Sequence, residues 1–152
     1  MDIKIISYQP EYKDDFIRLN TAWLEEFFYV EQHDKEVFKN IEEIVLKPGG
    51  EIFFCLIDGT VAGTVAMQKV NNDMVELAKL AVDKKFQGMK LSNLLMDTCI
   101  AFAKEKGFKK IMLMSSTKLD IALNLYRKYH FVEVPLDETD YDRADIQMEL
   151  SL

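Results

Sequence analysis

Cysteine and histidine are scarce in this 152-residue sequence, which has two of each. Cys55 and Cys99 have no second cysteine or histidine at the spacing typical of metal ligands, and His33 lies far from His130 in the chain. We therefore expect neither a metal site nor a disulfide framework. Both thiols are interpreted as small buried hydrophobic groups of a reduced protein.

Apolar runs long enough to cross a membrane are absent, because no segment has about 18 consecutive apolar residues. The N-terminal sequence MDIKIISYQP also lacks the basic start and the apolar run of a signal peptide. We therefore expect a cytoplasmic protein without a membrane partner.

Basic side chains are outnumbered: 19 Lys and Arg stand against 26 Asp and Glu, which leaves a formal net charge of −7. This balance argues against broad nucleic-acid binding, since such binding depends on neutralisation of phosphates by Lys and Arg. It is compatible with a cationic amine or peptide as partner, although many acidic proteins are acidic only for solubility.

The composition is otherwise that of a globular protein, with 49% hydrophobic and 30% charged residues. The length suits one core, and we predict a single domain over residues 1–152. Alternating or continuous apolar patterns predict strands, and apolar residues at spacings of three and four predict helices. The predicted order is β-α-α-β-β-β-α-β-α-β-β, an α+β (α/β) fold in which one helix covers residues 34–46 and the fourth strand covers residues 74–82.

The segment VDKKFQGMKLSNLLM, residues 82–96, predicts a strand that turns tightly into a helix. Its Gln87-Gly88 pair precedes the helix, so the backbone N–H groups from Gly88 to Ser92 are expected to lack intrahelical partners and to suit an anion. The segment is neither a Walker A loop nor a dinucleotide-binding GxGxxG motif. An ordinary strand–helix junction, in which the glycine merely eases the turn, explains it too.

A second segment, ALNLYRKYHF at residues 122–131, predicts an amphipathic helix that ends in aromatic residues, and core packing alone would explain it. In this order and spacing, however, the segments ELAKLAVDKKFQGMKLSNLLM, KGFKKIMLMSS and ALNLYRKYHF resemble the GNAT superfamily of N-acetyltransferases. The resemblance covers nearly the whole chain. It implies a mixed, mostly antiparallel central sheet flanked by helices.

The resemblance also implies a cofactor site for acetyl-CoA as co-substrate. The fourth and fifth strands would splay apart, and the pantetheine arm would pair with the fourth strand at Leu80, Ala81 and Val82. The pyrophosphate would lie on the N–H groups of the turn, namely those of Gln87, Gly88, Met89, Lys90, Leu91 and Ser92.

Four residues depart from the family pattern: Lys90 and His130 stand at glycine positions, Ser92 at a glycine or alanine position and Leu119 at an asparagine position. The Lys90 N–H remains a usable donor if its φ is negative, as in the first turn of a helix. Its ammonium either adds a phosphate contact or is solvated. Leu119 removes one polar contact near the thioester.

Tyr126 and Glu76 are the catalytic residues that the resemblance implies. Tyr126 matches the family tyrosine that protonates the departing sulfur, and a buried structural tyrosine is the alternative. Glu76, eleven residues before Gln87, matches the general base of some members. A water chain as base, or a strand-face carboxylate paired with Lys79, are the alternatives. Backbone N–H groups near Val82 would stabilise the oxyanion.

The expected reaction is acetyl transfer from acetyl-CoA to a primary amine of a small molecule, amino acid or peptide, by direct attack on the thioester. The acidic and aromatic segment WLEEFFYVEQHD, residues 23–34, is expected to contact the acceptor, with PLDETDYDRAD, residues 135–145, as a second wall. The alternative is a non-catalytic acyl-CoA-binding or sensing module. The family often dimerises, and an edge strand near the C-terminus is compatible with a homodimer.

Overall fold

The computed structural model describes residues 1–152, and its elements follow the predicted order. Strands β1 to β7 span Ile3–Ser7, Glu51–Ile57, Thr60–Lys69, Met74–Val82, Lys110–Ser115, Val132–Val134 and Ile146–Ser151. Helices α1 to α4 span Lys13–Phe27, Gln32–Lys39, Leu91–Glu105 and Asp120–Lys128. The longest helices have 15 residues, and none combines the length and the apolar character that a membrane crossing needs.

The second helix differs from its prediction. A helix was expected over residues 34–46, but α2 begins at Gln32 and ends at Lys39, and Glu42–Leu46 forms a separate π-helical turn. The helix begins two residues earlier than predicted because Glu31 and Asp34 form a capping box. The Glu31 side chain accepts the backbone N–H of Asp34, and the Asp34 side chain accepts the backbone N–H of Glu31. The break falls at Asn40, whose backbone leaves the helical region at φ −133°.

All seven strands form one sheet with the order β1-β2-β3-β4-β5-β7-β6. Only β4 and β5 are parallel, and every other neighbouring pair is antiparallel. The predicted mixed, mostly antiparallel sheet is thus confirmed.

Helices cover both faces of the sheet and create two hydrophobic cores. One core packs α3 and α4 on the sheet around Leu95, Met96 and Cys99, and the other packs α1 and α2 around Phe16 and Leu24. Cys55 and Cys99 are both free, and both are buried, which confirms their predicted place in the core. Burial raises the pKa of the Cys99 thiol well above its usual range, so this thiol is unreactive.

The parallel pair β4 and β5 separates after a short contact. Pairing joins Met74–Glu76 to Lys110–Met112, yet β4 continues to Val82 and β5 to Ser115. From Leu77 onward the β5-facing edge of β4 therefore has no strand partner, and a wedge opens in the middle of the sheet. Unpaired strand edges bind extended partners through backbone hydrogen bonds. The wedge is where the candidate site lies.

Candidate active site

The turn between β4 and α3 is built on a capped 3₁₀ turn. The Asp83 side chain accepts the Lys85 N–H at 3.0 Å, and the Gln87 N–H donates to the Lys84 carbonyl at 3.3 Å. Asp83 in turn contacts Arg18 of α1 at 3.4 Å. The Gln87 N–H, which was included in the predicted set of donors, is thus engaged within this turn.

The next five backbone N–H groups, from Gly88 to Ser92, donate no hydrogen bond within the protein. They lead into α3, a 15-residue helix that begins at Leu91. Gly88 has a φ of +85°, a left-handed conformation that glycine adopts without strain and that lets the chain turn into α3. Nearby, the side-chain Oδ1 of Asn93 is buried without a partner. Free N–H groups at the positive end of a helix dipole form an anion-binding cradle.

Lys90 does not have the negative φ that the sequence led us to expect. It is the N-cap of α3 with φ 61° and ψ 29°, a left-handed conformation. Its side chain is exposed and forms no ion pair within the protein. His130, at the other family glycine position, is also left-handed with φ 73°. The backbone of both glycine positions is therefore retained, at a cost of about 1–2 kcal/mol for each non-glycine residue.

Replacing Lys90 by glycine is expected to raise the free energy of unfolding by up to about 1 kcal/mol, because glycine adopts this conformation without strain. Lys104→Gly is the matched control, since Lys104 lies in the last turn of α3, where glycine costs up to about 1 kcal/mol. Urea unfolding of both variants checks this prediction. Equal destabilisation by the two substitutions would contradict it.

Tyr126 lies in α4 with its ring in the core and only 8% of the residue exposed. Its ring centroid is 6.0 Å from that of Phe131. The hydroxyl makes no hydrogen bond within the protein. It is not completely enclosed, since Asn93 Oδ1 is the only fully buried side-chain atom without a hydrogen-bond partner. Burial, helped by the nearby Cys99, raises the pKa of Tyr126 to about 12. The phenol is therefore protonated at neutral pH and has a proton to donate.

Glu76 is the last residue of β4 that pairs with β5, and so it lies at the apex of the wedge. Its carboxylate forms no ion pair and no hydrogen bond within the protein. The anticipated partner Lys79 bonds to Asp34 instead. Burial raises the pKa of Glu76, and the neighbouring ammonium of Lys79 only partly offsets this. A desolvated carboxylate without a partner suits a general base.

A bulge in β4 lies beside Glu76. Thr64 of β3 pairs with Ala81, and Ala66 pairs with Ala78, so Lys79 and Leu80 together lie opposite a single residue. Lys79 has a φ of +58°. The bulge redirects the backbone at the start of Leu80, Ala81 and Val82, the segment predicted to pair with pantetheine. Sequence reasoning did not predict the bulge, because lysine gives no signal for a left-handed residue.

A cleft of about 300 Å³ opens next to the wedge, lined by Phe28, Tyr29, Ser116, Lys118, Asp142, Arg143 and Asp145. Residues 23–34 and 135–145, the two predicted acceptor segments, thus meet in space. The Tyr29 hydroxyl donates to Asp142 at 3.0 Å, and the Asp142 N–H donates to Glu31 at 2.7 Å.

The acidic residues of these segments do not act as one group. Glu31 and Asp34 are buried and bonded to Arg143, so they are not free to attract an amine. Glu26 pairs with Lys84 at 3.1 Å, and Glu25 is exposed.

Leu119, which stands at the family's asparagine position, is the N-cap of α4. Its side chain makes no capping hydrogen bond, whereas an asparagine side chain could.

The sequence profile of the acetyltransferase (GNAT) family matches residues 17–131. Mouse (Mus musculus) N-acetylaspartate synthetase is 30% identical over 94 residues, which are 60% of this chain and 31% of that protein. This chain spans about a third of the length of such curated relatives.

Solved structures share the fold over the full length. An acetyltransferase of the GNAT family from Staphylococcus aureus Mu50 superposes with a TM-score of 0.89 at 24% identity, covering 99% of both chains. The PaiA N-acetyltransferase from Thermoplasma acidophilum, solved in complex with coenzyme A, has a TM-score of 0.77 at 16% identity and covers 100% of both chains. With the splayed strands, the N–H cradle and a profile match over most of its length, this chain belongs to the GNAT acetyltransferase family.

Proposed function

We propose that the protein is an acetyl-CoA-dependent N-acetyltransferase whose acceptor is a primary amine of a small molecule, amino acid or peptide. The observation that carries the proposal is the wedge between β4 and β5, with unpaired Glu76 at its apex and five free N–H groups beyond its open end. Tyr126, with its free hydroxyl, supplies a proton donor in the adjacent core. An extended thioester with a charged diphosphate fits this arrangement.

The pantetheine arm is assigned to the edge of β4 at Leu80, Ala81 and Val82, and the pyrophosphate to Gly88, Met89, Lys90, Leu91 and Ser92. Gln87 joins this set only if its weak bond to the Lys84 carbonyl opens. The coenzyme A in the Thermoplasma acidophilum relative supports the choice of ligand. Helix N-termini favour phosphates for the reasons already given.

Ser92→Glu tests the cradle. A carboxylate at this position interacts favourably with the positive end of the helix dipole, but it repels a bound diphosphate. The variant is expected to be at least as stable as the parent while its affinity for acetyl-CoA falls more than about tenfold, roughly the effect of 1.4 kcal/mol. Ser92→Ala is the control and should bind normally. Calorimetric titration with acetyl-CoA measures both. Unchanged affinity of Ser92→Glu would remove the diphosphate from this turn.

In the proposed reaction the amine nitrogen attacks the thioester carbonyl carbon, and the carbon–sulfur bond breaks. Glu76 accepts the proton that the nitrogen loses, directly or through a water molecule. Backbone N–H groups at the free end of β4 stabilise the oxyanion. Tyr126 donates its proton to the departing thiolate, so that an amide and free coenzyme A result.

The acceptor is proposed to enter through the cleft beside Tyr29 and Arg143. Arg143 is already bonded to Glu31 and Asp34, so it does not offer a free cation to an acidic acceptor. A formal net charge of −7 also favours a cationic amine. A cytoplasmic location and a homodimer through an edge strand stay predictions.

Turnover tests the proposal. Protein and acetyl-CoA are mixed with a panel of diamines, amino acids and peptides, and free thiol and acetylated product are measured together. The proposal predicts release of one coenzyme A for each amide formed with at least one class of amine. Tight binding of coenzyme A without thiol release across the panel would support the non-catalytic acyl-CoA-binding module instead.

A further inference from the structure

A buried ion-pair network lies against the candidate site and consists of Glu31, Asp34, Lys79 and Arg143. Arg143 donates to Asp34 through both terminal nitrogens, at 2.9 and 2.8 Å, and to Glu31 at 2.9 Å. Lys79 bonds to the same Asp34 carboxylate and to the Tyr141 hydroxyl, the latter at 3.0 Å. The four charges sum to zero.

The network joins four parts of the chain. Glu31 lies in the turn between α1 and α2, Asp34 in α2, Lys79 in β4 and Arg143 in the connection between β6 and β7. Their side chains are 7%, 0%, 8% and 14% exposed, respectively. This depth makes an unpaired charge expensive, so the four parts are held together.

The network is one of the anchors of the connection between β6 and β7, which is also bonded to Thr117 and Gln147 near its two ends. Residues 135–145 contain neither helix nor strand. Arg143 and Tyr141 anchor the segment on α2 and β4, and the guanidinium of Arg143 stacks on the Tyr141 ring at 4.1 Å. The same segment supplies Asp142, Arg143 and Asp145 to the acceptor cleft.

Lys79 extends the network to the bulge of β4. Its left-handed backbone is unfavourable for a lysine. The ammonium is held by Asp34 and lies 4.7 Å from the Tyr141 ring centroid and 5.5 Å from that of Phe38. These contacts offset the strain. Lys79 is three residues from Glu76 and next to Leu80, so a change at the bulge moves both the proposed base and the proposed pantetheine edge.

We infer that the buried ion-pair network positions the acceptor amine: Lys79 and Arg143 fix the bulge of β4 and the connection between β6 and β7 relative to Glu76. They are positioning residues, not catalytic ones, and this inference rests on the proposed function. Lys79 also lowers the pKa of Glu76 through its charge. Arg143 acts through geometry alone, where a displacement of about 1 Å costs as much as about 100-fold in rate.

Two variants test the inference. Lys79→Gly suits the left-handed backbone and removes the ammonium, while Asp34 stays paired with Arg143. Arg143→Lys keeps the charge but loses the planar fork that reaches Glu31 and both oxygens of Asp34. Each is expected to lower kcat/KM for the amine by about 10- to 100-fold. For Arg143→Lys the KM for acetyl-CoA should change less than about threefold, because Arg143 bonds neither to the N–H cradle nor to Leu80–Val82. Lys79→Gly, beside Leu80, is expected to raise this KM as well.

Hydrogen exchange gives a readout that does not depend on turnover. In both variants the amides of residues 137–145 should exchange faster, while those of α3 should not change. Lys47→Ala, which removes an exposed pair with Glu43, is the control and should alter neither exchange nor kinetics. Should the parent protein transfer no acetyl group, the proposed function fails, and exchange alone decides the role of the network.

Two results would overturn the inference. One is amine kcat/KM and exchange that both stay within about twofold of the parent values. The other is a uniform loss in Arg143→Lys, in which the melting temperature, the KM for acetyl-CoA and kcat/KM for the amine all worsen together. The latter would give the network a purely structural role.

Discussion

Glu76→Gln is expected to lower kcat/KM for the acceptor amine by about 100- to 10,000-fold, the usual loss when a general base is removed. Glutamine keeps the shape of the side chain but accepts no proton. In the parent protein, activity should fall as the pH drops through the raised pKa of Glu76, which lies above the ordinary range of a glutamate. Glu76→Gln should no longer show this loss of activity at low pH. Steady-state kinetics between acidic and alkaline pH measures both effects.

The same substitution should stabilise the fold at neutral pH. Because burial raises the pKa of Glu76, the folded state holds the proton more tightly than the unfolded state does. The resulting stabilisation is fully present below the unfolded pKa and is lost as the pH rises through the folded pKa. Above that range a buried charge opposes folding. Glutamine removes the charge, so the melting temperature should rise at pH 7 while activity collapses.

Glu149→Gln is the control for this prediction. Glu149 lies in β7 of the same sheet and pairs with Lys110 at 3.2 Å, outside the wedge. Its substitution should leave kcat/KM unchanged. Full activity in Glu76→Gln would assign the proton transfer to a water chain or to another group.

Tyr126→Phe is expected to lower kcat by about 10- to 1000-fold, because the departing thiolate loses its proton donor. The apolar ring remains, so the core around Phe131 stays packed. The hydroxyl makes no hydrogen bond in the protein, and its removal leaves no buried partner unsatisfied. Stability should therefore change little. Single-turnover kinetics and thermal unfolding separate the two effects.

Tyr129→Phe is expected to show the opposite pattern, and Tyr129 is the C-cap residue of α4, three residues after Tyr126. The Tyr129 hydroxyl has two acceptors within reach of its single proton, the Asn93 carbonyl at 3.0 Å and the Asp97 carboxylate at 2.9 Å. Its loss should cost about 1 kcal/mol of stability without a large change in kcat. An unchanged kcat in Tyr126→Phe would make Tyr126 a structural residue of the core.

Local patterns predicted the elements that hold the site. The turn at residues 82–96 could be predicted because Gly88 and the apolar spacing after it mark a strand-to-helix junction. Lys90 was different. Local rules favour a negative φ for lysine, yet Lys90 is left-handed at the junction with α3.

The buried ion-pair network could not be predicted, because its members are remote in the sequence. Asp34 is 45 residues from Lys79 and 109 from Arg143. Proximity of Lys79 to Glu76 in the sequence pointed to a pair between them. The bulge of β4 instead turns Lys79 towards Asp34, and this leaves Glu76 free for the role of base. Tertiary contacts thus decided which carboxylate is unpaired.

A crystal structure with coenzyme A bound tests the central claim most directly. The account predicts the diphosphate on the N–H groups from Gly88 to Ser92, the pantetheine arm along Leu80–Val82, and the sulfur between Glu76 and Tyr126. A diphosphate bound away from the start of α3, or a sulfur outside the wedge between β4 and β5, would contradict it.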